Sequence, residues 1–136
     1  MTFMKATIIY GPPGSGKTTI ANGMAEKFKN PASIPTWVFA NAIDLAWPRL
    51  PIFSISKAWL NEEPGLIIFD EEPDLIIFDE CSIEQIPLLL FIFRNGIEIR
   101  AGARDKTIYP HILLIVQSSA LVELHLEGVE AIKAYN

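Results

Sequence analysis

Cysteine is nearly absent from this 136-residue chain: Cys81 stands alone, which excludes an intrachain disulfide and a multi-cysteine zinc site. Such usage fits a reducing compartment. Long apolar runs are missing as well, and no stretch approaches the ~18 residues of a membrane span. The opening MTFMKATIIYGPP has a single Lys and too short an apolar run for a signal peptide, so a cytoplasmic protein with no membrane partner is expected. Positive charge is also scarce. The formal net charge of −5 argues against coating nucleic acid through global charge, though it leaves room for a local basic patch. From Asn61 to Glu84 there are nine carboxylates and no Lys or Arg, whereas Arg94 to Lys106 holds four basic and two acidic residues.

Half of the residues are hydrophobic and a fifth are charged, which excludes intrinsic disorder and predicts one compact domain over residues 1–136. The strongest local signal is KATIIYGPPGSGKTTIANGMAEKF. An apolar, β-branched run at Thr7 to Tyr10 predicts a buried strand, Gly and Pro break it, and Thr18 to Phe28 reads as a helix. The intervening GPPGSGKT, Gly11 to Thr18, matches G-x-x-x-x-G-K-[ST] at every fixed position. Gly11, Gly14 and Gly16 give the backbone the freedom to turn its N–H groups toward phosphate oxygens, and the helix N-terminus adds partial positive charge. Pro12, Pro13, Ser15 and Thr19 complete the expected phosphate cradle. Lys17 would bridge the β and γ phosphates, and the Thr18 hydroxyl would ligate Mg²⁺.

With these residues the chain resembles the P-loop NTPases, from Lys5 to about Ser119. The resemblance implies a three-layer α/β/α fold with a mostly parallel sheet, ATP at the C-terminal ends of the strands, and Mg²⁺ as its companion.

An acidic strand is written twice. EEPGLIIFD and EEPDLIIFD follow one another from Glu62 to Asp79, differing where Gly65 becomes Asp74, and each ends in an Asp-Glu pair, Asp70-Glu71 and Asp79-Glu80. Four apolar residues followed by an acid suit a strand buried on both faces whose carboxylate emerges beside phosphate. Asp would orient Mg²⁺ and the following Glu would polarise water. The two strands stand too close in sequence to be parallel neighbours, so they form an antiparallel hairpin or one is displaced. Context favours Asp79 as metal ligand and Glu80 as base. Behind them Ser82 can cap a helix running through Phe93 with Pro87 in its first turn, whereas Glu72-Pro73-Asp74 behind the first pair reads as a turn.

The middle of the chain is the least legible: Thr36–Ala40 and Pro51–Ser56 read as short β-like runs, Ser56–Glu63 as a short helix, and Trp37, Trp47 and Trp59 as packing residues, with base stacking on one of them as the alternative. Tyr109 to Ser119 reads as another buried strand. In P-loop NTPases with adjacent acids such a strand lies between the first two and presents a polar sensor, which by resemblance would be Gln117 or Ser118. His111 is expected to be structural. After the sensor strand, Ser119 to Asn136 has room for one helix or a last strand such as Gly128 to Tyr135.

From Phe93 to Pro110 the chain resembles the segment between metal strand and sensor strand in superfamily 3 helicases, a branch of the AAA+ ATPases found in viruses, phages and plasmids. That resemblance implies a short hairpin with Gly96 and Gly102 as turn points, carrying Arg100, Arg104 and Lys106 toward single-stranded nucleic acid inside a homo-oligomer. The family ends its sensor strand in Asn, where this chain has Gln117 and Ser118, and its arginine finger has no evident counterpart beyond Arg94 or Arg104.

Three functions stay open at this point. One is a Mg-dependent ATPase acting on nucleic acid, with Lys17, Glu80 and Gln117 as catalytic residues. A second is a small phosphotransferase with Arg100 and Arg104 in a lid. The third is a nucleotide-binding module with little turnover.

Overall fold

The computed structural model describes residues 5–46, 52–55, 66–69, 71–101, 104–117 and 129–134. The expected helix over Ser56–Glu63, Trp47, Trp59, Gly102, Ser118 and Asp70 lie outside them. Nine strands and three α-helices are defined among the described residues.

Five strands form a parallel sheet in the order β2-β5-β8-β1-β9: β2 (Pro31–Pro35), β5 (Leu75–Cys81), β8 (His111–Gln117), β1 (Ala6–Gly11) and β9 (Val129–Lys133). Every pairing in it is parallel. The near-continuous apolar runs of β1, β5 and β8 are explained by burial on both faces. Ile9, Leu75, Ile77, Leu113 and Ile115 face helix α1 (Lys17–Ala25) through Ala21, with Ile20 and Met24 alongside. Ile8, Ile76, Phe78, Ile112, Leu114 and Val116 face the opposite way, onto α2 (Thr36–Ala46) and α3 (Ile86–Phe93). Helices therefore flank both faces of the sheet.

The second helical layer also carries a smaller sheet, in the order β4-β3-β6-β7. Here β3 (Ile52–Ser54) runs parallel to β4 (Leu66–Ile68) and to β6 (Ile97–Ala101), and β6 pairs antiparallel with β7 (Arg104–Ile108). The two copies of LIIF thus enter different sheets: the first is displaced, rather than forming a hairpin with the second. Both still feed one core. Ile67 and Phe69 of the first copy and Ile76 and Phe78 of the second are buried in the same cluster. Phe53 stacks on Phe69 at 5.8 Å, and Phe39, Phe78 and Phe93 meet at 5.2–5.4 Å, geometries typical of favourable aromatic pairs.

Two expectations need correction. Thr36–Ala40 is the first half of α2, not a strand. Its β-branched and aromatic start misleads locally, but Val38, Phe39, Ala42 and Ile43 recur at helical spacing and supply the packed face. The strand of this region is β2, PASIP, whose two prolines hide it. The Asn30 carbonyl accepts the Asp74 N–H, so alternation turns Pro31, Ser33 and Pro35 to the sheet's outer side. Prolines there remove N–H donors that would otherwise invite another strand. Trp37 is exposed at 65%, which also corrects its assignment as a packing residue.

Asp74, the residue by which the repeats differ, knits the sheet at its N-terminal edge. Its carboxylate accepts the N–H groups of Lys29 at 2.7 Å and Asn30 at 2.8 Å, and its carbonyl accepts the N–H of His111 at 2.9 Å. Asp74→Gly, which makes the second copy identical to the first, should destabilise the protein by about 1.5–3 kcal/mol in urea denaturation, and a change under ~0.5 kcal/mol would count against this anchoring.

Candidate functional site

The C-terminal ends of β1, β8 and β5 converge on a pocket of about 960 Å³ lined by Pro13 to Thr18, Asp79 to Ser82, Ile115 and Gln117. The loop from Gly11 to Gly16 leads straight from β1 into α1. A side chain at Gly11 would bring its Cβ within 2.5 Å of Ser15 Oγ, so close approach requires glycine there. Gly14 and Gly16 instead adopt φ of 75° and 90°, the left-handed region that glycine enters without cost. A Cβ built on either meets nothing within 4 Å, so the loop backbone faces open space. Gly16 caps α1 without a side-chain hydrogen bond, so the first-turn N–H groups meet no competing side-chain oxygen from it.

Lys17 is 9% exposed, and its ammonium donates to the carbonyls of Gly11 at 2.8 Å and Pro12 at 2.7 Å. Ser15 is buried below it. Pro12 therefore lends a carbonyl to Lys17 rather than lining the pocket, and Gly11 and Thr19 are not lining residues either. Thr18 is, on the exposed side of the first helical turn.

Across the pocket, β5 is irregular where its acids emerge. Phe78 pairs with Leu114 and Cys81 with Val116, so Asp79 and Glu80 together stand opposite Ile115 alone. The extra residue makes a bulge, and Glu80 takes φ of 55°, the sole positive value among described non-glycine residues. This conformation costs about 1–2 kcal/mol for a residue with a Cβ, and strain of this kind gathers at functional sites. The Glu80 N–H donates to Asp79 Oδ1 at 2.8 Å. Behind the acids, Ser82 and Gln85 form a reciprocal cap on a 3₁₀ turn, Ile83–Gln85, that leads into α3 with Pro87 in its first turn.

Glu71, the described acid of the first pair, is exposed and lines a separate groove of about 570 Å³ with Lys29 to Ile34 and Ile67 to Phe69. Gln117 ends β8, between β1 and β5, and lines the main pocket. His111 sits at the opposite end of the same strand, its Nε2 2.8 Å from Thr7 Oγ1 and its ring edge-on to Phe28 at 5.5 Å. Burial, aided by the charge of Lys5, holds its pKa below the ordinary histidine value, against the smaller opposing effect of Glu130.

On the β6–β7 hairpin, Arg100 Nε lies 3.8 Å from Asp105 Oδ1 and Lys106 pairs with Glu72. Only the backbone of Arg104 is described. Gly96, at φ of 81°, turns α3 into the hairpin, and its Cβ would meet the Ile108 carbonyl at 2.6 Å.

Cys81, Ser82 and Ile115 also line the pocket without having been singled out as site residues. Thr36, buried beside the acids, was hidden by the mistaken strand, although a Thr after Pro and before an apolar run is itself a helix-start signal. No family model matches the chain, nor does any curated protein or solved structure. Among the described residues, no helix is long and apolar enough to cross a membrane.

Burial pushes the Cys81 thiol up to about 11, outweighing the opposing hydrogen bond from Thr36. The thiol is protonated at pH 8, so a maleimide or disulfide reagent should modify it slowly in the native protein and rapidly in denaturant. Equal rates in both states would contradict the packing described.

Proposed function

We propose that this protein binds ATP with Mg²⁺ and hydrolyses its terminal phosphate, in the manner of P-loop NTPases with adjacent acids. The observation that carries this is the meeting, in one pocket, of the Pro13–Thr18 loop with Asp79, Glu80 and Gln117 from two neighbouring strands.

The residues fit the group. Open glycine backbone at a helix N-terminus suits phosphate oxygens, and Lys17 supplies a positive charge whose position is set by the loop carbonyls. The Thr18 hydroxyl and Asp79 carboxylate would hold Mg²⁺, a hard cation that takes one or two protein oxygens and keeps waters. When bound, it neutralises phosphate charge and orients the terminal phosphate. Glu80 accepts a proton from the attacking water as general base, and Gln117 donates to the terminal phosphate from the intervening strand. A kinase lid is the weaker alternative, because Arg100 faces Asp105 on the β6–β7 hairpin and does not line the pocket.

The antiparallel β6–β7 hairpin supports a narrower step, contact with single-stranded nucleic acid through Arg100, Arg104 and Lys106. Nucleic-acid phosphate would have to compete with Asp105 and Glu72 for two of these cations.

A Mg-ATP turnover assay tests the reading. Lys17→Ala should lower turnover at least ~100-fold in a chain that still folds by circular dichroism. Glu80→Gln should lower it by about 10²–10⁴ while retaining ATP, whereas Glu71→Gln should stay near the parent rate. Full turnover in Lys17→Ala would sink the proposed role of the loop, and the reverse pattern in the glutamates would assign the chemistry to the first copy. Single-stranded DNA should stimulate phosphate release if the hairpin engages it; an unchanged rate at low salt would remove that step.

A further inference from the structure

We propose that Thr36 is a positioning residue for the acid pair, holding the Asp79–Glu80 peptide group in the orientation that sets Glu80 in its left-handed conformation at the pocket. For its kinetic consequence this rests on the hydrolytic reading above; for its structural consequence it does not.

The Asp79 carbonyl and the Glu80 N–H belong to one peptide plane, and each end of that plane has a partner. At the oxygen end, Thr36 Oγ1 donates to the Asp79 carbonyl at 2.7 Å. At the nitrogen end, Asp79 Oδ1 accepts the Glu80 N–H at 2.8 Å. Rotating this plane changes φ of Glu80, so the two bonds together select the value of 55°. They are not equivalent. The nitrogen-end bond is exposed and uses the carboxylate that the proposed chemistry assigns to Mg²⁺. The oxygen-end bond is partly buried and comes from a residue 2% exposed, outside the pocket lining.

The fold supplies Thr36 at this point by construction. Pro35 ends β2 as the register partner of Asp79, so the next residue begins α2 directly beside the bulge. The ladder between β5 and β8 skips there, and a side-chain hydroxyl from the other neighbour bonds the carbonyl at the irregularity. Cys81, the first residue back in register with β8, has its own acceptor in the Ser82 carbonyl, 3.4 Å from Sγ. Thr36 therefore bonds the bulge at the carbonyl where the register begins to slip.

The test uses Thr36→Val, which keeps the shape and removes the hydroxyl, and Thr36→Ser, which keeps the hydroxyl. In Thr36→Val, kcat for Mg-ATP hydrolysis should fall at least ~10-fold while KM and affinity for a non-hydrolysable ATP analogue stay within about 2-fold; Thr36→Ser should recover most of kcat. Independently of turnover, the φ-sensitive HN–Hα coupling of Glu80 should change in Thr36→Val and persist in Thr36→Ser. An unchanged Glu80 coupling in Thr36→Val overturns the proposal, as does an equal loss of kcat in both variants. If the parent chain shows no turnover, the hydrolytic reading fails while the coupling still decides the role of Thr36. Should Thr36→Val not fold, Thr36→Ala gives the same comparison, and in the parent chain the Thr36 hydroxyl proton should be protected from solvent exchange. A rapidly exchanging hydroxyl would equally overturn the assignment.

Discussion

Parallel insertion of β8 between β1 and β5 is the constraint on which the rest of the molecule depends. Neighbouring strands sit about 4.8 Å apart, so the ends of β1 and β5 lie about 10 Å apart with β8 and its Gln117 between them. Direct pairing of β1 with β5 would bring the ammonium of Lys17 and the two carboxylates closer to one another. Separation by one strand instead opens a pocket with cation on one wall, acids on the other and an amide between. The proposed chemistry follows from that spacing.

Burial on both faces of these central strands stabilises the arrangement. Alternate residues of β1, β5 and β8 pack on α1 to one side and on α2, α3 and the aromatic cluster to the other. Phe69 and Phe78 occupy equivalent places in the repeated phrase and join the same cluster from different sheets. The repeat thus shares one apolar logic and divides its polar ends. In the second copy, Asp74 binds the turn after α1, and the capped turn at Ser82 follows the acids. Glu71 of the first copy faces the groove between β2 and β4.

Much of this architecture was legible locally. The glycine loop between an apolar run and a helix, the Ser82 cap with Pro87 behind the second acid pair, and the apolar β8 all carry their signals within a dozen residues, whereas the β6–β7 hairpin was expected only from the resemblance between Phe93 and Pro110. The boundary at Thr36 was obscured, because the start signal of a Thr after Pro is opposed by its immediate neighbours Trp37, Val38 and Phe39, which favour strands, and the helical recurrence needs Ala42 and Ile43 to show itself. So was β2, where prolines oppose strand formation in general and are accepted only because this strand lies at an edge. The bulge at Glu80 has no sequence signal, since a glutamate gives no hint of positive φ. Its conformation arises from a register shift against β8 and a hydroxyl from the neighbouring strand's end.

By itself the sequence determined the glycine loop, the order of strand, loop and helix, and the chemical equivalence of two acid pairs, because turn freedom, periodicity and side-chain type act over a few residues. The tertiary structure decided which acid pair meets the loop and how its glutamate is held. Those choices depend on Asp74 joining the turn after α1, on β8 entering between two distant strands, and on Thr36 arriving beside Asp79, contacts between segments far apart in the chain, such as Ala6 and Ile112, that no local pattern encodes.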